Sequence, residues 1–370
     1  MTLFSGSIKI EHLWTRYSEK PFNTLTLGNI LSAYWDTAPS IILGCEDGIV
    51  RVHTFPGTLD VLFPNKEKTE GEKLMVHTSL ETKGGPIQTA AIHNVTKFIS
   101  NDLIVGDSRG MLTVFSNGQI LSRQTLSDNS IRCLQVEEDA TGHMSIVTCD
   151  SLGLVSASLP YNPLWKLRLS DFPLIKGLPV CAKALLTVSL PNAASQKSNY
   201  ILVSDHQCHL YVIQQGTIVI MLDTPGVVTA MCLGKFLVNL EPAGPPFSNI
   251  DSSTGTQVAL GTESGGVYLF SNFEIYQDEY ANTELPITSL TALPAAEGQE
   301  VDSLLCAGHF NALCIFNNGK EVARHQTPDW VTAVVTTDSG KVERPALDRN
   351  PQIIYGCQDK SIHSIKIEYT

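Results

Sequence analysis

A short phrase recurs seven times along this chain, and its period limits the folds that the chain can adopt. Each copy has an apolar run, a small residue, a tight turn and a second run in which apolar residues alternate. The copies start 43 to 62 residues apart. Units of about 40 to 50 residues built from strands and turns are typical of β-propeller blades. The seven copies occupy residues 41–54, 103–116, 146–159, 201–214, 258–271, 304–317 and 353–366.

Each copy is predicted to be a β-hairpin. Its fourth position, as at Gly44, is always small, which suits a strand that packs closely against its neighbour. The eighth position is a turn position in which glycine takes a positive φ at little cost. Asn311 is the next best residue for that position, whereas Cys208 and Lys360 depart from the rule. The apolar alternation that follows predicts a second strand with one buried face.

Two more strands around each hairpin complete a four-stranded blade. Short β-branched segments such as residues 86–92 are predicted to be innermost strands, and more polar segments such as residues 119–126 outer strands. No sequence follows the seventh hairpin to supply its outer strand, and residues 6–14 are predicted to fill that place. The sequence therefore predicts an all-β, seven-bladed β-propeller, a single domain of residues 1–370 closed by its N-terminal strand.

Composition limits the cellular location and the classes of partner expected of this domain. The chain has no run of 18 apolar residues and no basic-then-apolar start, which predicts no membrane insertion and a cytoplasmic or nuclear location. Its net charge of −12 argues against direct binding to nucleic acid. Nine cysteines without a C-x-x-C pair are interpreted mainly as reduced core residues.

The sequence offers little catalytic or metal-binding chemistry. It contains no phosphate loop, H-E-x-x-H or D-x-D-x-D-G calcium loop, and no enzyme activity, cofactor or metal is predicted. The nearest group of metal ligands is His206, Cys208 and His209, with His309 two blades on. Alternate residues of a strand face opposite sides, and these four are therefore interpreted as ordinary turn residues.

Four insertions break the even spacing of the repeats. Residues 63–85 are predicted to connect blades one and two. The other three, residues 191–199, 240–256 and 337–351, are predicted to connect innermost strands to their hairpins, on the opposite face from the first. Such segments are either surface loops or sites of partner binding.

The hairpin turns and the loops that lead into the innermost strands are predicted to share one face around the central channel. Three residues there, Leu152, Phe310 and Trp330, are apolar where turns are usually polar. Buried aromatic side chains are typical anchors of protein interfaces. Together with Arg109 and His309 they are the predicted partner-binding residues, although Trp330 could instead cap blade seven.

The phrases LIVGDSRGMLTVF from Leu103 and VALGTESGGVYLF from Val258 resemble the repeats of divergent eukaryotic seven-bladed propellers. These are the WD40-like and FG-GAP-like propellers of kaptin and of Bardet-Biedl complex subunits. The chain does not repeat the Gly-His and Trp-Asp dipeptides from blade to blade as standard WD40 repeats do, and it lacks the acidic calcium loops of integrin-type repeats. The resemblance implies a non-catalytic scaffold whose partners are the other protein subunits of an intracellular complex.

Two other functions stay open at this point. One is a substrate receptor of a ubiquitin ligase or a similar machine, which would also bind protein across the ring face. The other is an enzyme or small-molecule binder that uses the central channel. This last alternative predicts polar, titratable residues from several blades gathered at one end of the channel.

Overall fold

The chain folds into seven antiparallel four-stranded sheets, which form one ring. The computed structural model describes residues 8–31, 39–55, 73–98, 100–139, 141–175, 177–191, 197–238, 256–296, 299–337 and 351–369. Within those ranges there are 28 β-strands and one short 3-10 turn at Leu169–Asp171. The all-β, seven-bladed propeller predicted from the repeats is confirmed.

The first strand, β1 (Ile8–Tyr17), belongs to the last blade, and the other strands follow in chain order from the innermost strand of each blade outward. Blade one contains β2 (Phe22–Gly28), β3 (Ser40–Cys45), β4 (Ile49–His53) and β5 (Val76–Glu81). Blade two contains β6 (Ile87–His93), β7 (Asp102–Asp107), β8 (Met111–Ser116) and β9 (Gln119–Thr125). Blade three contains β10 (Ile131–Glu138), β11 (Met144–Asp150), β12 (Leu154–Ser158) and β13 (Pro163–Arg168). Blade four contains β14 (Ala182–Pro191), β15 (Lys197–Asp205), β16 (His209–Gln214) and β17 (Thr217–Asp223).

The remaining blades keep the same order of strands. Blade five contains β18 (Val228–Gly234), β19 (Gln257–Thr262), β20 (Gly266–Ser271) and β21 (Glu274–Asn282). Blade six contains β22 (Ile287–Leu293), β23 (Ser303–Gly308), β24 (Phe310–Asn317) and β25 (Lys320–Gln326). Blade seven contains β26 (Val331–Thr336), β27 (Gln352–Cys357) and β28 (Ser361–Tyr369), with β1 as its outermost strand.

The closure of blade seven by the N-terminal strand is confirmed. Strand β1 pairs antiparallel with β28, from Ile8 opposite Tyr369 to Tyr17 opposite Ser361. Residues 6 and 7 of the predicted strand lie outside the described part of the chain, and the strand continues beyond residue 14 to Tyr17. The two ends of the propeller are therefore joined within one sheet.

The hydrophobic core is divided into seven clusters, each formed by two neighbouring blades. Between blades seven and one, for example, Ile354 and Ile362 pack with Phe22 and Leu25. The innermost strands contact one another in sequence around the ring, and β26 contacts β2. Burial of apolar surface between blades thus stabilises the ring as a whole.

The small fourth position of each hairpin provides the space that the next blade needs. A Cβ added to Gly44 would lie 2.5 Å from Cγ2 of Ile87, and one added to Gly356 would lie 2.5 Å from two ring carbons of Phe22. In blade four the position is Ser204, whose hydroxyl donates a hydrogen bond of 2.8 Å to the carbonyl of Val228. The predicted close packing at this position is confirmed.

The prediction for the eighth position is partly wrong. Gly48 and the equivalent glycines have positive φ, but so do Cys208 (φ 63°) and Lys360 (φ 72°). Asn311 instead lies within β24, because Gly308 pairs with Phe310 across a tighter turn in blade six. The hairpin geometry imposes the left-handed conformation even where no glycine is available.

The interpretation of residues 63–85 as a connection between blades is also wrong. Val76–Glu81 form β5, the outer strand of blade one, and pair with β4. Residues 56–72, and the greater part of the other three insertions, lie outside the described residues.

The nine cysteines are unpaired thiols, six of them buried. Burial raises the pKa of the Cys133 thiol to about 11. The described residues contain no helix that is long and apolar enough to span a bilayer.

Candidate interaction face

The hairpin turns and the loops that lead into the innermost strands lie on the same face of the ring, as predicted. Backbone hydrogen bonds join each turn to its loop: Ser151 N–H donates to Ser130 O (2.8 Å) in blade three, and His309 N–H to Pro286 O (2.9 Å) in blade six. We call this side of the propeller the turn face. Its residues are held by short connections and are therefore well placed to present a fixed surface to a ligand.

Buried aspartates stabilise the turns of blades two, three and four. The carboxylate of Asp205 accepts the backbone N–H groups of Gln207 (2.8 Å) and His209 (3.0 Å), and its other oxygen accepts the Tyr211 hydroxyl (2.8 Å). Asp107 and Asp150 accept the equivalent pairs of backbone N–H groups. Each carboxylate replaces the ladder hydrogen bonds that the chain loses where it reverses.

A β-bulge recurs at the second residue of every innermost strand. The pairing register shifts there in all seven blades, for example between Ile131 and Cys133, which leaves Arg132 out of the ladder. Such bulges redirect a side chain. The residues at this position are all polar, and we call them the channel ring: Asn23, Gln88, Arg132, Lys183, Thr229, Thr288 and Thr332.

Members of the channel ring differ in their hydrogen bonding. Asn23 donates to the carbonyl of Ile87 (2.8 Å), Thr229 donates to that of Ile287, and Thr332 donates to that of Gly356 (3.0 Å). These bonds connect the innermost strands of neighbouring blades or satisfy a carbonyl beside them. The two cations of the ring, Arg132 and Lys183, are on adjacent blades and have no comparable bond within the described part of the chain.

A cavity of about 300 Å³ lies beside these two cations, at the mouth of the channel on the turn face. The Lys183 ammonium is 4.0 Å from a carboxylate oxygen of Glu263, the one acidic residue of the lining. The exposed Arg132 guanidinium forms no side-chain hydrogen bond or ion pair among the described residues. The cavity is lined by Arg132, Lys183, Thr229, Glu263, Pro286, Ile287, Thr288 and His309.

Four of the five predicted partner-binding residues are exposed on the turn face. Trp330 is 43% exposed and stacks on His309, with ring centroids 4.8 Å apart and planes at 26°. Leu152, on blade three, is 50% exposed. Arg109, on blade two, lies over Gly85, where an added Cβ would be 3.0 Å from Cγ of the arginine. The structure thus brings together His309 and Trp330 only, and it leaves Leu152 and Arg109 on other blades.

The prediction that Phe310 is an exposed turn residue is wrong. Its side chain is only 7% exposed and packs in the core between blades five and six, with Leu290 and Ala312 among its neighbours. The tight turn of blade six explains the difference, because it makes Phe310 the first residue of β24. Phe310 therefore contributes to the core of the fold.

Further exposed leucines extend the apolar character of the turn face. Leu174 (74% exposed) and Leu178 belong to the connection between blades three and four, whose Val180 lies against Gly153, next to Leu152. Leu285 precedes the cavity residue Pro286. We call these residues the apolar arc, which runs from blade three to blade seven: Leu152, Leu174, Leu178, Leu285 and Trp330.

The four residues considered as metal ligands have other roles, and His309 stacks on Trp330. Nδ1 of His206 accepts the backbone N–H of Cys181 (3.1 Å), and Nδ1 of His209 lies 3.0 Å from the buried Asp205 carboxylate. Cys208 takes the left-handed turn position. No group of three or more His, Cys, Asp or Glu side chains suited to a metal ion occurs in the described ranges.

The channel ring and its cavity were missed by sequence reasoning, although a signal was present. The innermost strands begin with a residue that becomes buried, followed by a polar one, as in Ile131–Arg132 and Ala182–Lys183. Aligning the strands on that buried residue would have found the ring. The direction of the polar side chain depends on the β-bulge at that residue. The sequence pattern does not reveal the bulge.

Comparison with known proteins supports the fold. The chain has 11% identity and a TM-score of 0.68 with BBS1N, crystallised in complex with ARL6DN, covering 98% of each chain. It has 11% identity and a TM-score of 0.62 with the WD40 β-propeller domain of Doa1, covering 96% of each chain. A computationally designed protein, Ika8, has 12% identity and a TM-score of 0.55, with 96% of this chain and 99% of Ika8 covered.

The sequence matches no protein-family model, and it matches no curated protein. At identities this low the structural likeness shows the fold alone. The chain is thus a seven-bladed β-propeller similar to the propellers of BBS1 and Doa1.

Proposed function

We propose that this propeller is a non-catalytic protein-interaction scaffold, a subunit of a multiprotein complex in the cytoplasm or nucleus, and that a partner docks on its turn face. The observation that carries the proposal is the apolar arc, with five large exposed apolar side chains on one face. Exposed apolar residues scattered singly are common, whereas a group on one face is typical of interaction sites. BBS1N, a propeller of similar fold, was crystallised with a protein partner.

The anchors of such an interface would be Trp330 and Leu152. Trp330 is already held in place by its stack on His309, so binding would cost little additional side-chain entropy. The backbone of Leu152 is held by the hydrogen bond from its N–H to the Asp150 carboxylate (2.9 Å). If Trp330 is a hot spot of this interface, its truncation to alanine should weaken binding by about 2 kcal/mol or more.

The test is affinity purification of the tagged full-length protein at physiological salt, with quantitative mass spectrometry of what remains bound. We expect a stoichiometric partner that is lost from the Trp330→Ala/Leu152→Ala variant. The matched control is Phe98→Ala/Tyr161→Ala, which removes two exposed aromatic side chains from connections on the opposite face. Retention of the partner by the Trp330/Leu152 variant, or equal loss from both variants, would contradict docking on the turn face.

A small-anion binder is a second candidate, and the cavity favours it. Arg132, Lys183, Glu263 and His309 come from four different blades and meet at one end of the channel, as that alternative predicts. A thermal-shift series with phosphate, citrate and nucleotides would test it. A shift of the midpoint that is abolished by Arg132→Ala/Lys183→Ala would support this function, and its absence would favour the scaffold.

A further inference from the structure

The described residues that line the cavity at the channel mouth carry an excess of positive charge. Its lining holds two cations, Arg132 and Lys183, and only one carboxylate, Glu263. That carboxylate lies 4.0 Å from Lys183, at the outer limit of an ion pair, and is itself more than half exposed. The Arg132 guanidinium keeps its five donors without a side-chain acceptor among the described residues.

This local charge is unusual in a chain with a net charge of −12. At physiological salt, exposed charges more than about 8 Å apart are largely screened, so the two nearby cations outweigh the distant carboxylates inside the cavity. The same cavity is lined by the apolar Ile287 and Pro286. An arginine favours a carboxylate, which can accept two parallel hydrogen bonds from its guanidinium. The cavity is therefore suited to an acidic group.

Exposed apolar side chains belong to the chain segments that lead into the cavity lining. Leu174 and Leu178 lie in the connection that leads from blade three to Lys183, and Leu285 is covalently joined to the lining residue Pro286. His309 lines the cavity, and the Trp330 ring stacks on the His309 ring. A ligand that placed a carboxylate in the cavity and extended along the turn face would thus meet exposed apolar side chains of the apolar arc.

We propose that the turn face binds an acidic, amphipathic segment of a partner protein, with an Asp or Glu carboxylate paired to Arg132 and Lys183 and apolar side chains on the apolar arc. The proposal rests on the docking face inferred above and adds the chemistry of the partner. A cavity of about 300 Å³ accepts one such side chain but no globular element, so the segment crosses the channel mouth in an extended form. The adjacent cations supply specificity, and the leucines and Trp330 supply most of the apolar contact.

The experiment is selection of a random 12-residue peptide library, displayed on phage, against the immobilised full-length protein. The strongest peptides are then synthesised with a fluorescein label and titrated by anisotropy. We expect them to combine Asp or Glu with Leu or aromatic residues, and to bind at least tenfold more weakly to Arg132→Ala/Lys183→Ala and at raised NaCl concentration. The control Lys20→Ala/Arg123→Ala removes the same charges from exposed positions away from the cavity lining and should bind normally.

A charge-reversal variant, Arg132→Glu/Lys183→Glu, checks the result independently and should select basic peptides in place of acidic ones. Unchanged circular dichroism establishes that each variant is folded. Enriched peptides without acidic residues, or equal affinity for the alanine variant, would overturn the proposal. If such peptides still lose binding with Trp330→Ala/Leu152→Ala, the docking face survives and only its acidic specificity fails. No enrichment, with phosphate or citrate binding the cavity instead, would identify a small-anion site and also overturn the proposal.

Discussion

Gly356 has no Cβ, and this absence allows blades seven and one to pack closely together. Its Cα lies against the ring of Phe22, which begins the innermost strand of the next blade around the ring. Phe22 is 6% exposed and belongs to the cluster that joins blades seven and one. The small fourth position of the repeat is thus explained by the close contact between neighbouring blades.

Replacing Gly356 with alanine should destabilise the fold by about 1–3 kcal/mol, because the new Cβ would lie 2.5 Å from two carbons of the Phe22 ring. The measurement is the urea midpoint together with its slope at 25 °C. Gly226→Ala is the control, since its added Cβ would meet no atom closer than 3.4 Å. A Gly356→Ala protein as stable as that control would contradict the close packing.

His53 gives the protein a predictable response to acid. The side chain is buried at the end of β4, and burial lowers its pKa from the ordinary value of 6.5 to about 4. The unfolded chain therefore binds the proton more readily than the folded protein between those two pH values. The stability present above pH 6.5 should fall by roughly 3 kcal/mol as the pH decreases to 4.

Chemical denaturation at a series of pH values from 7.5 to 4.5 measures this loss. His53→Gln should reduce the slope of stability against pH, whereas His77→Gln, which alters an exposed histidine of β5, should leave the slope as it is. An identical slope in the His53 variant would show that other groups cause the acid response. His363, whose pKa burial likewise lowers to about 4, should account for much of the remaining slope.

At the scale of the element, the hairpin of blade four depends on one carboxylate. Asp205 is fully buried and serves two backbone N–H groups, the Tyr211 hydroxyl and the His209 ring. Burial, together with the hydrogen bond to Asp205, raises the pKa of the Tyr211 hydroxyl well above its usual value. This turn has Cys208 in place of glycine at its left-handed position. The hydrogen bonds to Asp205 hold the turn in that conformation.

Asp205→Ala should lower the free energy of unfolding by about 3 kcal/mol, since it leaves several buried donors without an acceptor. Asp205→Asn keeps one acceptor oxygen and should lose less. Urea unfolding of both variants provides the comparison, and the same pair at the exposed Asp278 of β21 should change stability by under about 1 kcal/mol. Equal stability of the alanine and asparagine variants at residue 205 would contradict the proposed role of the carboxylate.

How far each element could be predicted depends on how many neighbours constrain it. The second and third strands of each blade are buried on both sides, so their apolar patterns stand out in the sequence. Strand β5 was missed because VHTSLE is an outer strand with one free edge, where polar residues are tolerated and the pattern resembles a loop. Phe310 was predicted to be exposed because the sequence does not show that Gly308 pairs with Phe310. This tight turn makes Phe310 a buried strand residue.

For the whole molecule, the most consequential pairing is between the two ends of the chain. Strand β1 places Ile8 and Ile10 against the core shared by blades six and seven. The Thr15 hydroxyl lies 2.9 Å from the His363 ring, and Trp14 meets Phe55 of blade one edge to face at 6.0 Å. These contacts join blade seven to both of its neighbours, so loss of one strand affects the whole ring.

Deletion of residues 1–17 should therefore remove roughly 5 kcal/mol of stability and broaden the thermal transition, because it exposes the edge of β28 and part of the apolar core. Differential scanning calorimetry measures both effects through the midpoint and the ratio of van't Hoff to calorimetric enthalpy. Adding a synthetic peptide of residues 8–17 in excess should restore the midpoint in a concentration-dependent manner, because the peptide binds the folded ring only. A peptide with Ile8 and Ile10 changed to Asp controls for nonspecific effects and should not restore it. A truncated protein that unfolds sharply at the original midpoint would show that closure by β1 is dispensable and that the contacts between blades alone hold the ring together.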